Sequence, residues 1–191
     1  MSEDERRVPS SRSRPAAPPR RDLASSSDGA TWEEPLPTLT GRAWAFGTVL
    51  TLADVLPPRF AALASTDARR HVLADIDPEW ATHVGAGDVV CVEELHAGDG
   101  SDGALAALAL AGVAAIIAHR YDDAVEDAAL AAGIVPISLD APAFIHTGDR
   151  VRVDLEAAKI VNLSSGDRAG IRNLDEPRRG AVRAMLRARR G

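Results

Sequence analysis

The sequence predicts an α/β domain built on a short parallel sheet, and three observations point there. Short apolar runs at residues 89–92, 113–118 and 134–139 are separated by segments of helical character. This β-α-β-α-β order requires crossover connections, and crossovers join parallel strands. Residues 148–167 alternate apolar and polar positions on both sides of a turn near Glu156-Ala157-Ala158, the pattern of a hairpin with one face inward. Finally, 46% of the 191 residues are hydrophobic, enough for one sizeable core.

At the start of the chain, residues 1–38 hold six of the twelve prolines, seven serines and six arginines, with few large apolar side chains. Such a segment buries too little surface to offset chain entropy and is expected to be a disordered tail, with Trp32 and Leu36 as the side chains able to dock on the adjoining domain. That folded domain is expected over residues 39–175. Within it, residues 41–47 (GRAWAFG) read as a strand closing at Gly47. Residues 54–64 open with turn chemistry at Pro57-Pro58 and then read as helix. Residues 67–84 place Val72, Leu73 and Ile76 on one helical face and resume with Trp80 after a break at Asp77-Pro78. Residues 85–95 are a turn and a buried strand in which Cys91 is a buried, inert thiol.

After a glycine-rich loop, residues 104–111 form a small-residue helix ended by Gly112, and residues 113–118 a second buried strand. Residues 122–133 form a helix with acids in its first turn and Gly133 beyond its end, as the helix dipole and C-cap preferences favour. Residues 134–140 supply a third strand. The basic segment 176–191 reads either as a short helix, with Val182, Met185 and Leu186 on one side, or as a frayed terminus.

Charge and cysteine content narrow the function. A net charge of −6 argues against a general nucleic-acid or membrane-surface binder, which needs clustered cations. Lys159 is the single lysine, so nearly all positive charge is arginine. One cysteine forms no internal disulfide and cannot hold an all-cysteine iron–sulfur cluster. No apolar segment reaches the ~20 residues of a membrane helix, and none follows the pairs Arg6-Arg7 or Arg20-Arg21, so a soluble cytoplasmic protein is expected. His71, His83, His119 and His146 are scattered without metal-ligand spacing.

The loop Gly98-Asp99-Gly100-Ser101-Asp102-Gly103 lies between a strand and a helix, where a glycine-rich loop usually cradles an anion, yet it carries two carboxylates and no cation. It matches the dinucleotide pattern G-x-G-x-x-G, with acids at Asp122 and Asp123 downstream. That reading is disfavoured, because the carboxylates would repel a pyrophosphate and an entire half of the domain precedes the loop. A calcium loop through Asp99 and Asp102 lacks the remaining alternating acids. On local physics alone the loop is a solvent-facing connection whose aspartates favour a helix N-terminus.

From Gly41 to about Gly166 the chain resembles the swivel domain of the aconitase superfamily, in particular the separate small subunit of isopropylmalate dehydratase and homoaconitase. The resemblance rests on GRAWAFG, DPEWA (residues 77–81), GAGDVVCVEELHAGDG, ALALAGVAAIIAHRY, AAGIVPISLD and GDRVRVDLEAAKIVNLSSGD, in the family's order and nearly its spacing. It implies a β/β/α swivelling domain closing over a larger partner that carries a [4Fe-4S] cluster. The functional motifs depart from the family. Its loop reads Gly-Cys-Gly-Ser-Ser-Arg-Glu, with the first Ser as catalytic base and the Arg on a substrate carboxylate. Here Asp99 stands at the base position, Gly100 at the second Ser, Ser101 at the Arg and Asp102 at the Glu. The motif after the opening Phe-Gly has lost most of its polar residues in residues 48–54, although Pro57 and Arg59 remain. The motif Ser-Phe-Ala-Arg-Ile-Phe-Tyr-Arg-Asn has become residues 120–128, with acids in place of its arginines.

The resemblance therefore implies a hydro-lyase small subunit that dehydrates, hydrates or isomerises a hydroxy acid with an altered substrate loop. Asp99 would act as general base, with His96 and Ser101 offering hydrogen bonds. Gly98, Gly100 and Asp102 would line the substrate, and Arg59 and Arg120 would be the remaining cations. Residue by residue, helix capping by Asp99 and Asp102 and a surface role for His96 stand beside that assignment. A reading from another class is a non-catalytic paralogue serving as scaffold or binding subunit. A third is a cluster-free lyase or binding module whose acidic loop meets a cationic or metal-bound ligand.

Overall fold

The computed structural model describes residues 34–99 and 103–189, which form ten strands and six α-helices. In chain order they are β1 (Thr38–Ala45), β2 (Val49–Thr51), α1 (Leu52–Val55), α2 (Ser65–Ala68), α3 (Trp80–His83), β3 (Asp88–Cys91), β4 (Glu94–His96), α4 (Gly103–Ala111), β5 (Val113–Ala118), β6 (Arg120–Tyr121), α5 (Asp123–Ala132), β7 (Val135–Ser138), β8 (Arg150–Asp154), β9 (Lys159–Asn162), β10 (Arg168–Gly170) and α6 (Glu176–Ala188). The tail read over residues 1–38 lies outside the described residues up to residue 33. From there Leu36 is buried, its amide donates to Glu156 Oε2 at 2.9 Å, and Thr38 already opens β1.

The main sheet has the order β10-β9-β8-β1-β3-β5-β7. Its β1, β3, β5 and β7 run parallel, and β8, β9 and β10 extend it antiparallel from β1. The crossovers α4 and α5 make the parallel half, as the strand-helix-strand order requires. Strand β3 is buried at all four positions, because parallel strands are covered on both faces. Its neighbouring side chains feed two cores. Trp44, Val90, Ile116 and Ala118 join Leu105, Leu108, Val125 and Ala129 of α4 and α5 on one face. Ala43, Val89, Ile117 and Ile137 join Val151, Val153, Ile160 and Val182 on the other. The hairpin and α6 thus close the second face, and the basic C-terminal segment is a packed helix there. Gly41 permits the closest approach in the sheet, since a Cβ would lie 2.0 Å from the Gly87 carbonyl oxygen.

Asp88, at the head of β3, is buried but satisfied: it accepts from Trp44 Nε1 (2.9 Å), the Gly85 amide (2.8 Å) and the Arg42 amide (3.2 Å). Cys91 is buried, and desolvation pushes its thiol up to about 12. Residues 54–84 differ from the sequence expectation. The helical run breaks after short turns because Val72 is extended and Leu73 is left-handed (φ 57°), which lets the Leu73 amide donate to Val55 O at 2.8 Å. Val72 and Leu73 are buried as expected, but Ile76 is 40% exposed. A compact series of turns anchored to α1 mimics helical periodicity.

Three strands bend as they leave the main sheet and continue as a second one. β1 leads into β2, β3 into β4 and β5 into β6, giving a three-stranded parallel sheet β2-β4-β6 in the same relative order. The links are short: residues 46–48, 92–93 and 119. Hydrogen bonds carry the ladder across the bends, including Glu93 N to Thr48 O (2.9 Å), Val92 N to Ile117 O (2.9 Å) and His119 N to Glu93 O (2.8 Å).

Candidate active site at the carboxyl ends of the parallel strands

The small sheet projects from the carboxyl ends of parallel strands, where α/β folds place ligands. The glycine-rich loop leaves its central strand, β4. Gly98 opens the loop in the left-handed region (φ 53°), and a Cβ there would lie 3.0 Å from the Thr51 Cβ. Glycine is therefore favoured by the backbone angle, and an added Cβ would crowd Thr51 on β2. Thr51 ends β2 and caps α1 in a reciprocal box: its amide and hydroxyl each donate to Asp54 Oδ2 at 2.7 Å.

His96 is held from both sides. Its Nδ1 lies 2.9 Å from Asp122 Oδ1, and its Nε2 lies 2.9 Å from Glu94 Oε2. The other Asp122 oxygen accepts the Ala97 amide at 2.9 Å, tying the loop's first residues to the end of β6. Hydrogen bonding to Asp122, then to Glu94, raises the His96 pKa above its ordinary value of 6.5. Hydrogen bonding to His96, then to the Ala97 amide, lowers that of Asp122. When protonated, the imidazole donates to both carboxylates. Arg120, on β6 beside Glu94, completes it at 3.5 Å from Glu94 Oε1.

Of the sequence-predicted residues, the structure brings His96, Gly98 and Arg120 into one neighbourhood on β4, β6 and the loop base. Asp99 sits in the turn after Gly98 and is exposed. Gly100, Ser101 and Asp102 lie outside the described residues. Arg59 is engaged elsewhere, making a two-pronged pair with Asp75, one contact at 2.7 Å, while stacking over Phe60. Sequence reading missed Glu94 and Asp122 as partners of His96. The available signal was register: Glu94 and His96 share one face of a strand by period two, and Asp122 directly succeeds its parallel neighbour.

Among the described residues, no group of three or more His, Cys, Asp or Glu side chains is placed to hold a metal ion. An iron–sulfur cluster needs several thiolates, and the sole cysteine is buried and held protonated, so this chain's residues do not fit such a cluster.

No family model matches the chain. Curated relatives do. It is 31% identical over 131 residues to the 3-isopropylmalate dehydratase small subunit of Nautilia profundicola, covering 67% of this chain and 78% of the relative. It is 32% identical over 130 residues to the methanogen homoaconitase small subunit of Methanothermobacter thermautotrophicus, covering 67% and 75%. The chain belongs to the isopropylmalate dehydratase and homoaconitase small-subunit family. A relative from Archaeoglobus fulgidus, 3-isopropylmalate dehydratase small subunit 2, matches at 29% over 141 residues, 72% of this chain and 85% of the relative. The crystal structure of 3-isopropylmalate dehydratase from Methanocaldococcus jannaschii superposes with a TM-score of 0.71 at 24% identity, covering 81% of this chain and 96% of that one. The fold expected of this small-subunit family is therefore the fold present. No helix among the described residues is long and apolar enough to cross a membrane.

Proposed function

We propose that this chain is the small subunit of a hydro-lyase that dehydrates, hydrates or isomerises a hydroxy acid, paired with a large subunit carrying a [4Fe-4S] cluster, and that its substrate differs from isopropylmalate. The observation that carries the reading is the loop base: in a small-subunit fold, Gly98 and Asp99 follow the carboxyl end of β4, and Asp122 anchors His96 and the Ala97 amide just before them. When bound on the partner, the cluster would supply a Lewis-acidic iron for the substrate hydroxyl and carboxylate. The chain's own part is proton transfer and positioning. Asp99, exposed in the turn at Gly98, takes the proton adjacent to the substrate carboxylate, as the family's loop serine does. His96 is a positioning residue, because both its nitrogens are already engaged. Gly98 lets the backbone turn close to Thr51.

Co-expression with a cluster-bearing large subunit tests this. The expected result is a brown complex that turns over hydroxy acids only when this chain is present. Asp99→Asn should abolish turnover while leaving assembly unchanged, and full activity in that variant would refute Asp99 as the base.

A second reading, a non-catalytic paralogue acting as scaffold, draws support from the cation-free loop and from the occupied nitrogens of His96. It predicts the same complex with no turnover in either form.

A further inference from the structure

Beside the small sheet, a cleft of about 300 Å³ opens at the carboxyl ends of β5 and β7, lined by Arg120, Arg172, Ser138, Asn173 and Glu126 among others. We propose that it is a carboxylate-binding subsite, taking the acid group of a small hydroxy acid between Arg120 and Arg172 with the substrate hydroxyl near Ser138. The proposal rests on the hydro-lyase reading and supplies the cation that the loop lacks.

The two guanidiniums come from different parts of the chain, β6 and the segment before α6. Arg172 is fixed in place: Nη2 donates to the carbonyls of His119 and Leu139, the latter at 3.1 Å, and Nε pairs with Asp140 at 3.1 Å. These contacts orient the fork and leave Nη1 without a partner among the described residues. Asp140 is 84% exposed at its side chain, so solvent screens its claim on the cation. Arg120 is 66% exposed and among the described residues pairs with Glu94 alone, at 3.5 Å, and that carboxylate is already 2.9 Å from His96. The acid in the lining, Glu126, does not cancel the pair. It is turned to Arg178 at 2.6 Å and accepts from Asn173. Asn173 also accepts the Ser138 amide at 2.9 Å, while the Ser138 hydroxyl has no partner among the described residues. The planar Arg172 fork, held in advance, suits a carboxylate better than a mobile ammonium would, and the exposed Arg120 is free to close on the other side. Because Arg120 shares Glu94 with His96, the cleft adjoins the loop base.

Titration of the ¹⁵N-labelled full chain with millimolar L-malate, a small hydroxy acid, tests the subsite. Saturable shifts are expected at the Ser138 and Asn173 amides and at the Arg172 Nε–H. Arg120→Gln and Arg172→Gln should each weaken binding about tenfold or more. Lys159→Gln, the same loss of charge on β9, should not. Arg172→Gln also removes contacts to the sheet ends, so Arg120→Gln decides if that variant unfolds. Absence of saturable shifts, equal affinity in Arg120→Gln, or an equal response to sulfate would overturn the proposal. Binding through both arginines by a chain that assembles with no cluster-bearing subunit would refute the hydro-lyase reading and leave the subsite standing. Turnover by the complex with KM unmoved in Arg120→Gln would do the reverse.

Discussion

The two sheets share three strands and differ in almost everything else. In the main sheet, β3, β5 and the carboxyl end of β1 bury apolar side chains on both faces, and Asp88, the buried acid among them, is paired. A few residues later, the same strands carry Thr51, Glu94, His96 and Arg120, half-buried or exposed, the last three joined by charge. One backbone path thus serves first for stability and then for chemistry. Substitutions beyond the bends can therefore leave the covered half intact, because the two sets occupy different lengths of the same strands.

The largest expected effect tests the covered half. Ile116 and Ile117 point to opposite faces and both are fully buried, so Ile116→Ala and Ile117→Ala should each lower stability by about 2–5 kcal/mol in chemical denaturation. A near-zero cost at either would mean that one face is solvated and would erase the contrast. Gly98→Ala, at the root of the loop, should cost about 1–2 kcal/mol from its left-handed backbone. It should also shift the Thr51 amide resonance, since the added Cβ meets that side chain.

The charged half should answer to pH instead. His96 has a folded pKa above 6.5, so its contribution is complete below that value and is lost as pH rises through the raised one. Asp122 lies below 3.8 when folded, so its contribution is complete above that value and is lost as pH falls through the lowered one. Between 3.8 and 6.5 the pair is whole. The His96 ring should titrate with a midpoint above 6.5 by NMR, and Asp122→Asn should bring it down. An unchanged midpoint would mean that the bracket does not form in solution. The smallest effect is expected at Arg59 and Asp75, a solvent-exposed pair: Asp75→Asn should leave the thermal midpoint unchanged within error.

Legibility in the sequence obeyed the same division. Strands β3, β5 and β7 and helices α4 and α5 were readable because continuous apolar runs and a C-cap glycine are local signals, and Gly133 takes the left-handed angle its position demanded (φ 86°). Residues 67–84 were not, since buried side chains in successive turns imitate a helical period while the Leu73 amide bonds to Val55, a partner remote in sequence. Strands β2, β4 and β6 are two or three residues long, too short for any period to register, and they were missed as a separate sheet. His96 was singled out for its chemistry, but its partners Glu94 and Asp122 became apparent only through strand register.

The links between the sheets have three, two and one residues, and each is stitched to its neighbour by backbone hydrogen bonds. Such a hinge-free joint leaves no slack: an insertion in any of the three would slide one strand out of step and scatter the side chains beyond it. Point substitution past the joint carries no such penalty. Diversification of this scaffold should therefore proceed by exchanging residues in a fixed socket, with length changes confined to the chain outside it.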